Sequence, residues 1–192
     1  MAALPLTPLD PPDAELVART CAGEAAAFDA LVRRHYRAAF AVALAVTGDR
    51  ADAEDVCQDA FIRAARRLED CRDPDRFAAW LCAIVRNQAR NALTRGGIRG
   101  RTPLTDAIPG AGNSARRAEL TELRARLESA LAALSPVQRE VVLLHDLDGW
   151  THDAIAASIG TSGGMSRQHL FNARRRLREL LGGDILREFL HD

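Results

Sequence analysis

The sequence predicts an all-α protein of two small helical domains joined by a flexible linker, and three observations carry that prediction. Aromatic residues make up only 5% of the 192 residues, while Ala, Leu and Arg, all good helix formers, are abundant. Apolar residues recur at three- and four-residue spacing through most of 13–95 and again through 118–181. Between these stretches, GGIRGRTPLTDAIPGAGN (96–113) is rich in Gly and Pro and has no helical period. The predicted organisation is a loose tail over 1–12, a first domain over 13–95, a linker over 96–114, a second domain over 115–182 and a short tail over 183–192. Extended, the linker's Gly- and Pro-rich part spans at most about 60 Å.

Composition narrows the function classes. A hydrophobic content of 47% is enough for real cores, and a formal net charge of zero argues against a generic polyanion binder. No run of about 18 apolar residues exists, so no membrane insertion is expected. The start, MAALPLTPLDPPDAE, lacks the basic and apolar blocks of a signal peptide, so the protein reads as cytosolic. Cys21, Cys57, Cys71 and Cys82 show no metal-ligand spacing, and Cys57 and Cys82 fall on apolar helix positions as small hydrophobes. His35, His145, His152, His169 and His191 are scattered, and no phosphate loop or nucleophile elbow is present. No metal, cofactor or small-molecule substrate is expected, and an enzyme is the least supported class.

In chain order, Asp13 is expected to cap a short helix to Cys21, which Gly23 breaks. A long helix follows from Glu24 to Val46, with Phe28, Leu31, Val32, Tyr36, Phe40 and Leu44 as its apolar stripe. After the turn Thr47-Gly48-Asp49, Asp49 caps the next helix, ADAEDVCQDAFIRAARRL. There Ala53, Val56, Cys57, Ala60, Phe61 and Ala64 form one buried stripe, while Asp52, Asp55 and Asp59 share the outer face. That face is either a solvated acidic surface or a dock for a basic partner.

Glu69–Arg72 is expected to be a loop, and Asp73-Pro74 to start a helix with Phe77, Trp80, Leu81, Ile84 and Val85 buried. The far half of that helix presents Asn87, Arg90, Asn91 and Thr94, flanked by Arg86 and Arg95, and a face of amides and guanidiniums suits DNA. Beyond the linker, a helix over Ala118–Ala133 carries Leu120, Leu123, Leu127 and Leu131.

The last stretch, Ser135–Leu181, holds the sharpest functional signal. Ser135, Pro136 and Gln138 are a helix start, and Val137, Val141 and Leu144 repeat until Asp148-Gly149 stops the run. Thr151 caps a short helix that buries Ile155 and Ile159 and keeps Ala156 small for a close neighbour; Gly160 ends it. After the turn Thr161–Gly164, a helix begins near Met165 with Leu170, Ala173 and Leu177 inward and Arg167, Gln168, Phe171, Arg174, Arg175 and Arg178 outward. A short helix, a Gly-containing turn and a basic helix make a helix-turn-helix, whose second member fits the major groove of DNA.

Together these stretches resemble an extracytoplasmic-function (ECF) sigma factor of the sigma-70 family, over about 13–95 and 118–182. GDRADAEDVCQDAFIRA resembles the polymerase-docking helix of that family's region 2, and FAAWLCAIVRNQARNALTR its −10 promoter helix. LSPVQREVVLLHDLDGWTHDAIAASIG and SGGMSRQHLFNARRRLREL resemble region 4, which reads the −35 element. The resemblance implies an alternative sigma factor that binds core RNA polymerase, recognises promoters and helps open the duplex. It places Asp52, Asp55, Gln58 and Asp59 against the beta prime clamp helices, with the beta flap as a second contact. It places Glu69, Asp70, Cys71, Arg72, Asp73, Arg86, Asn87, Arg90 and Asn91 at the −10 element. Ser162, Arg167, Gln168, Phe171, Asn172, Arg174 and Arg175 fall at the −35 element. An anti-sigma factor is a further implied partner, and the bacterial cytoplasm the implied location.

The chain departs from the family pattern at Met165, Ser166, Gln168 and Asn172, so its −35 sequence is not to be copied from relatives. Ser166 stands where an apolar packing residue is usual, and Asn91 where Asp is frequent. These departures keep open a rival reading, a sigma-like mimic that titrates an anti-sigma factor. A self-sufficient helix-turn-helix regulator is a second rival, disfavoured because no effector-pocket signature is visible.

Overall fold

The computed structural model describes residues 11–95 and 114–182, with side chains in the second stretch from Thr121 onward. Most of both tails and the linker expectation over 96–113 lie outside the described residues. Among the described residues eight α-helices follow in order: α1 (Asp13–Cys21), α2 (Ala25–Thr47), α3 (Arg50–Arg66), α4 (Phe77–Arg95), α5 (Ser114–Ala132), α6 (Pro136–Val142), α7 (His152–Ile159) and α8 (Gly163–Leu181). Among the described residues there is no strand.

α2 is the axis of the first lobe, with α1, α3 and α4 packed around it. The α3 stripe is buried as the spacing predicts: Ala53, Cys57, Ala60 and Ala64 have no exposed surface. Asp49 starts the helix by accepting from the Asp52 amide at 3.0 Å, satisfying an orphan first-turn donor. The expected Asp13 cap is different. Pro12 takes the cap position without a side-chain bond, and Asp13, now inside α1, turns its carboxylate to Arg34 at 2.6 Å and His35 at 2.8 Å. A long-range ion pair has displaced the local bond.

α4 is preceded by a 3₁₀ turn, Pro74–Arg76, because proline at the first position sets φ but offers no donor. In the second lobe, Ser135 and Gln138 form a reciprocal capping box. α6 then runs into a wider π-turn, Leu143–Leu147. Val137 is 40% exposed and does not join the buried stripe, which shifts to Val141, Val142, Leu143 and Leu144.

Thr151 caps α7 by accepting from the Ala154 amide at 3.2 Å, and Gly160 closes it at a left-handed φ of 74°. α8 starts at Gly163, two residues before the expected Met165, because the Ser162 hydroxyl accepts from the Met165 amide and recruits the two glycines as first-turn residues. Gly163 has a steric reason as well: a Cβ there would meet the Asp153 carboxylate.

The lobes lie against each other, with α2 on α6 and α4 on α7. Their buried residues form one continuous apolar cluster, running from Leu16 and Leu31 through Phe77 to Leu144, Ile155 and Leu177.

Candidate polymerase and promoter interfaces

Three surfaces carry the sequence-predicted residues. On α3, packing of the Ala/Cys stripe turns the remaining side chains outward. Asp55, Gln58 and Asp59 are exposed and Asp52 is half-buried. Beside them, between α2 and α3, runs an open groove of about 740 Å³ lined by Phe28, Val32, Tyr36, Asp55, Gln58 and Ile62, among others. Tyr36, expected in the buried stripe of α2, is 43% exposed at the groove wall. Its ring stacks toward Phe40 and Phe61, at centroid distances of 6.3 and 6.4 Å. The acidic face therefore borders an apolar trough, a combination that helical spacing on α3 alone did not reveal.

The second surface joins the loop before α4 to the far half of α4. Leu68–Asp70 is a 3₁₀ turn, with Leu68 buried and Glu69 and Asp70 exposed. Asp70 accepts from Arg67 at 2.6 Å, and Arg72 and Asp73 are exposed. Cys71 is turned into the core, where burial first, and the nearby Asp73 next, raise its thiol above the ordinary value. It lines the inside of the loop and offers no surface to a base. On α4, Asn87, Arg90 and Asn91 are exposed on one side.

Arg86 is differently placed. Its guanidinium donates to Glu140 of α6 at 2.8 Å and to the Ser158 hydroxyl of α7 at 3.0 Å. Beside it, the buried Arg139 donates to the Ala45 carbonyl at the end of α2 at 2.8 Å and to Leu131 at 2.7 Å. Cationic hydrogen bonds to otherwise unpaired helix-end carbonyls are favourable. Neither Arg139 nor Glu140 was singled out from sequence. The available signal was a charged pair running directly into the apolar stretch 141–144.

The third surface is α8. Leu170, Ala173, Leu177 and Leu181 are buried, while Arg167, Gln168, Phe171 and Arg175 are exposed, Phe171 at 60%. Gln168 donates to the Asn172 carbonyl oxygen at 3.4 Å, which aligns two amides on the outer face. The Ser162 hydroxyl serves as the helix cap. Arg174 lies on the flank, with Nη2 donating to Asp146 Oδ1 at 2.8 Å and Nε to Oδ2 at 3.3 Å. Ser166 is fully buried, its hydroxyl 3.0 Å from His152 Nδ1, which accounts for a polar residue where the family resemblance puts an apolar one.

The chain is similar to known proteins in both sequence and fold. The sequence profile of sigma-70 region 2 matches residues 31–97, and that of sigma-70 region 4 matches residues 124–177. The ECF RNA polymerase sigma factor SigM of Mycobacterium tuberculosis is 34% identical over 88% of this chain and 85% of its own length. The chain belongs to the ECF sigma factors of the sigma-70 family. The ECF sigma-E factor of Escherichia coli is 32% identical over 84% of this chain and 90% of its own. A solved structure of CnrH in complex with the cytosolic domain of CnrY superimposes with a TM-score of 0.66 at 32% identity, covering 91% of this chain and 99% of that one.

This ECF sigma factor is thus an alternative sigma factor, which binds core RNA polymerase and promoter DNA and directs transcription initiation. Its family comprises transcription regulators rather than enzymes. The region 2 match covers most of α2, all of α3 and α4; the region 4 match runs from within α5 into the last turn of α8. Among the described residues no helix is long and apolar enough to cross a membrane.

Proposed function

We propose that the three surfaces divide the work of initiation between them. The α3 face, with Asp52, Asp55, Gln58 and Asp59, docks on the beta prime clamp helices, and the neighbouring apolar groove receives the apolar part of the same contact. What supports this reading is the groove itself: charges at a rim steer and register a partner, while a desolvated apolar centre supplies most of the affinity. Glu69, Asp70, Arg72 and Asp73 shape the loop that receives a flipped −10 base, with Asn87, Arg90 and Asn91 along the strand. Unstacking a base costs a few kcal/mol, so a preformed loop backed by Arg contacts offsets part of that cost. Arg167, Gln168 and Phe171 read −35 base edges, where an exposed aromatic suits a thymine methyl and an amide suits adenine. Arg175 holds phosphate.

The second lobe also meets the beta flap, and an anti-sigma protein competes for the same surfaces in the bacterial cytoplasm. The complex of CnrH with the CnrY cytosolic domain gives a precedent for a protein partner on a similar fold.

Photo-crosslinkers placed one at a time at Gln58, Asn91 and Gln168 test the division in a polymerase–promoter complex. The expected adducts are beta prime from Gln58, −10 DNA from Asn91 and −35 DNA from Gln168. Adducts from Gln58 to DNA, or from Gln168 to protein alone, would sink the assignment.

A further inference from the structure

Two polar points fasten the first part of α8 to the rest of its lobe, and at its far end the Leu181 carbonyl accepts from Arg126 of α5 at 3.4 Å. Near its start, the buried Ser166 hydroxyl lies 3.0 Å from His152 Nδ1 on α7. Two turns on, Arg174 makes its bidentate pair with Asp146 of the π-turn, whose side chain is 5% exposed. The two points are joined. His145 Nδ1 lies 2.9 Å from Asp146 Oδ1, and the His145 and His152 rings stack with centroids 4.6 Å apart and planes inclined by 24°.

The path from Ser166 to Arg174 therefore runs through two imidazoles. Between its ends, Leu170 and Ala173 supply only apolar adhesion, which is non-directional and tolerates a small roll of the helix. Hydrogen bonds are directional and do not. We propose that His145 and His152 are positioning residues for −35 recognition: they fix the roll of α8, and protonation of His152 releases it, so that −35 selection weakens in acid. This rests on α8 being the −35 helix.

The charges around the pair give the direction. His152 is lowered from its ordinary value first by burial, then by His145 and Arg167, with Arg174 adding and only Asp153 opposing. Asp146 faces the His145 side of the stack, and Arg37 of α2 donates to the Leu147 carbonyl at 2.6 Å and approaches Asp148 at 3.8 Å. A proton on His152 is thus disfavoured first by burial, and then by the neighbouring His145, Arg167 and Arg174, against Asp153 alone. The loosened form takes up that proton more readily than the seated form. Seating is complete above the ordinary histidine value of about 6.5 and is lost as pH falls below it.

The test uses the full chain with core polymerase, transcribing a pool of promoters randomised at the −35 positions, at about pH 8 and about pH 6. Polymerase with its primary sigma factor on a fixed promoter serves as the pH control. In His152→Asn the amide reaches Ser166 without titrating; in His152→Phe the stack stays but the bond to Ser166 is lost. The wild-type preference for its best −35 sequence over the median should fall at least about fivefold in acid, the lower end of ordinary coupling between sites. His152→Asn should hold its preference at both pH values, and His152→Phe should be broad at both.

The same acid loss in His152→Asn as in wild type overturns the proposal, as does an unaltered preference in His152→Phe. A second arm needs no promoter. An NMR titration of the imidazole protons should place His152 below free histidine and move it upward in His145→Ala, and an unmoved titration contradicts the coupling. Absence of transcripts on every template counts against the initiation reading alone, and the titration then decides the pair by itself.

Discussion

Arg86 on α4 and Glu140 on α6 close a bidentate ion pair across the two lobes, with Nη2 at 2.8 Å and Nε at 3.2 Å from the same carboxylate oxygen. Both are largely withdrawn from water, with 12% and 5% of their side chains exposed, and the Ser158 hydroxyl accepts a further hydrogen bond from Arg86. Arg86 is among the residues that the family resemblance places at the −10 element. In this arrangement its guanidinium belongs to the second lobe, and the exposed polar residues on the same part of α4 are Asn87, Arg90 and Asn91.

Removing one partner of that pair strands a buried charge. Glu140→Ala should destabilise the protein by about 3–5 kcal/mol, whereas replacing both residues with apolar side chains of similar volume should restore most of the loss. Urea unfolding of the two variants checks this. Equal losses in both would mean that packing, and not the stranded charge, sets the cost.

Asp55→Arg reverses the charge on an exposed position beside the groove. The expected outcome is weaker association with core polymerase and stability within about 0.5 kcal/mol of wild type. Co-purification read alongside thermal unfolding measures both, and undiminished association removes Asp55 from the docking face.

Arg167→Ala should cost about 1–3 kcal/mol on the preferred promoter and relax one −35 position, while Arg175→Ala should weaken all sequences alike and reduce the salt slope. Competition binding by the polymerase complex separates the two. Uniform loss from Arg167→Ala would reassign it to phosphate.

Asp13 supplies an acid-sensitive clamp. Burial raises its pKa, but His35 and Arg34 outweigh burial and hold it below the usual 3.8. A depressed carboxylate stabilises the fold above its unfolded value and stops doing so as pH falls through the folded one. Stability should therefore drop below about pH 4 in wild type and drop less steeply in Asp13→Asn. Urea midpoints across that range give the answer, and identical slopes would remove Asp13 from the acid response.

Burial pushes the Cys57 and Cys82 thiols up to about 12, and Cys21 is the exposed cysteine. One thiol per chain should react quickly with a maleimide in native buffer, and the other three only on unfolding, since thiolate is the reactive form. Fast reaction at Cys57 or Cys82 would reopen a redox role.

Where neighbours in sequence set the outcome, the sequence was readable. The α3 stripe, the Ser135 capping box, the Thr151 cap and the helix stop at Gly160 all followed from local spacing and turn chemistry. Contacts distant in sequence were not readable. Asp13 leaves its expected cap for residues 21 and 22 positions away, and Tyr36 is held at a groove wall by Phe61. Arg86 and Arg174 carry the right charge for DNA, yet both are claimed by carboxylates of the second lobe. Ser166 looked like a flaw in a packing position until His152 supplied its partner. Periodicity assigns a side chain to a face, but only the fold decides what meets that face.

The most direct test is run-off transcription by bacterial core polymerase on genomic promoter fragments, with and without this chain. Discrete transcripts that appear only with the chain, and that lose their −35 selectivity in Arg167→Ala, are the predicted result. Firm association with core polymerase and no transcript on any fragment would contradict an initiation role and favour a sigma-like mimic.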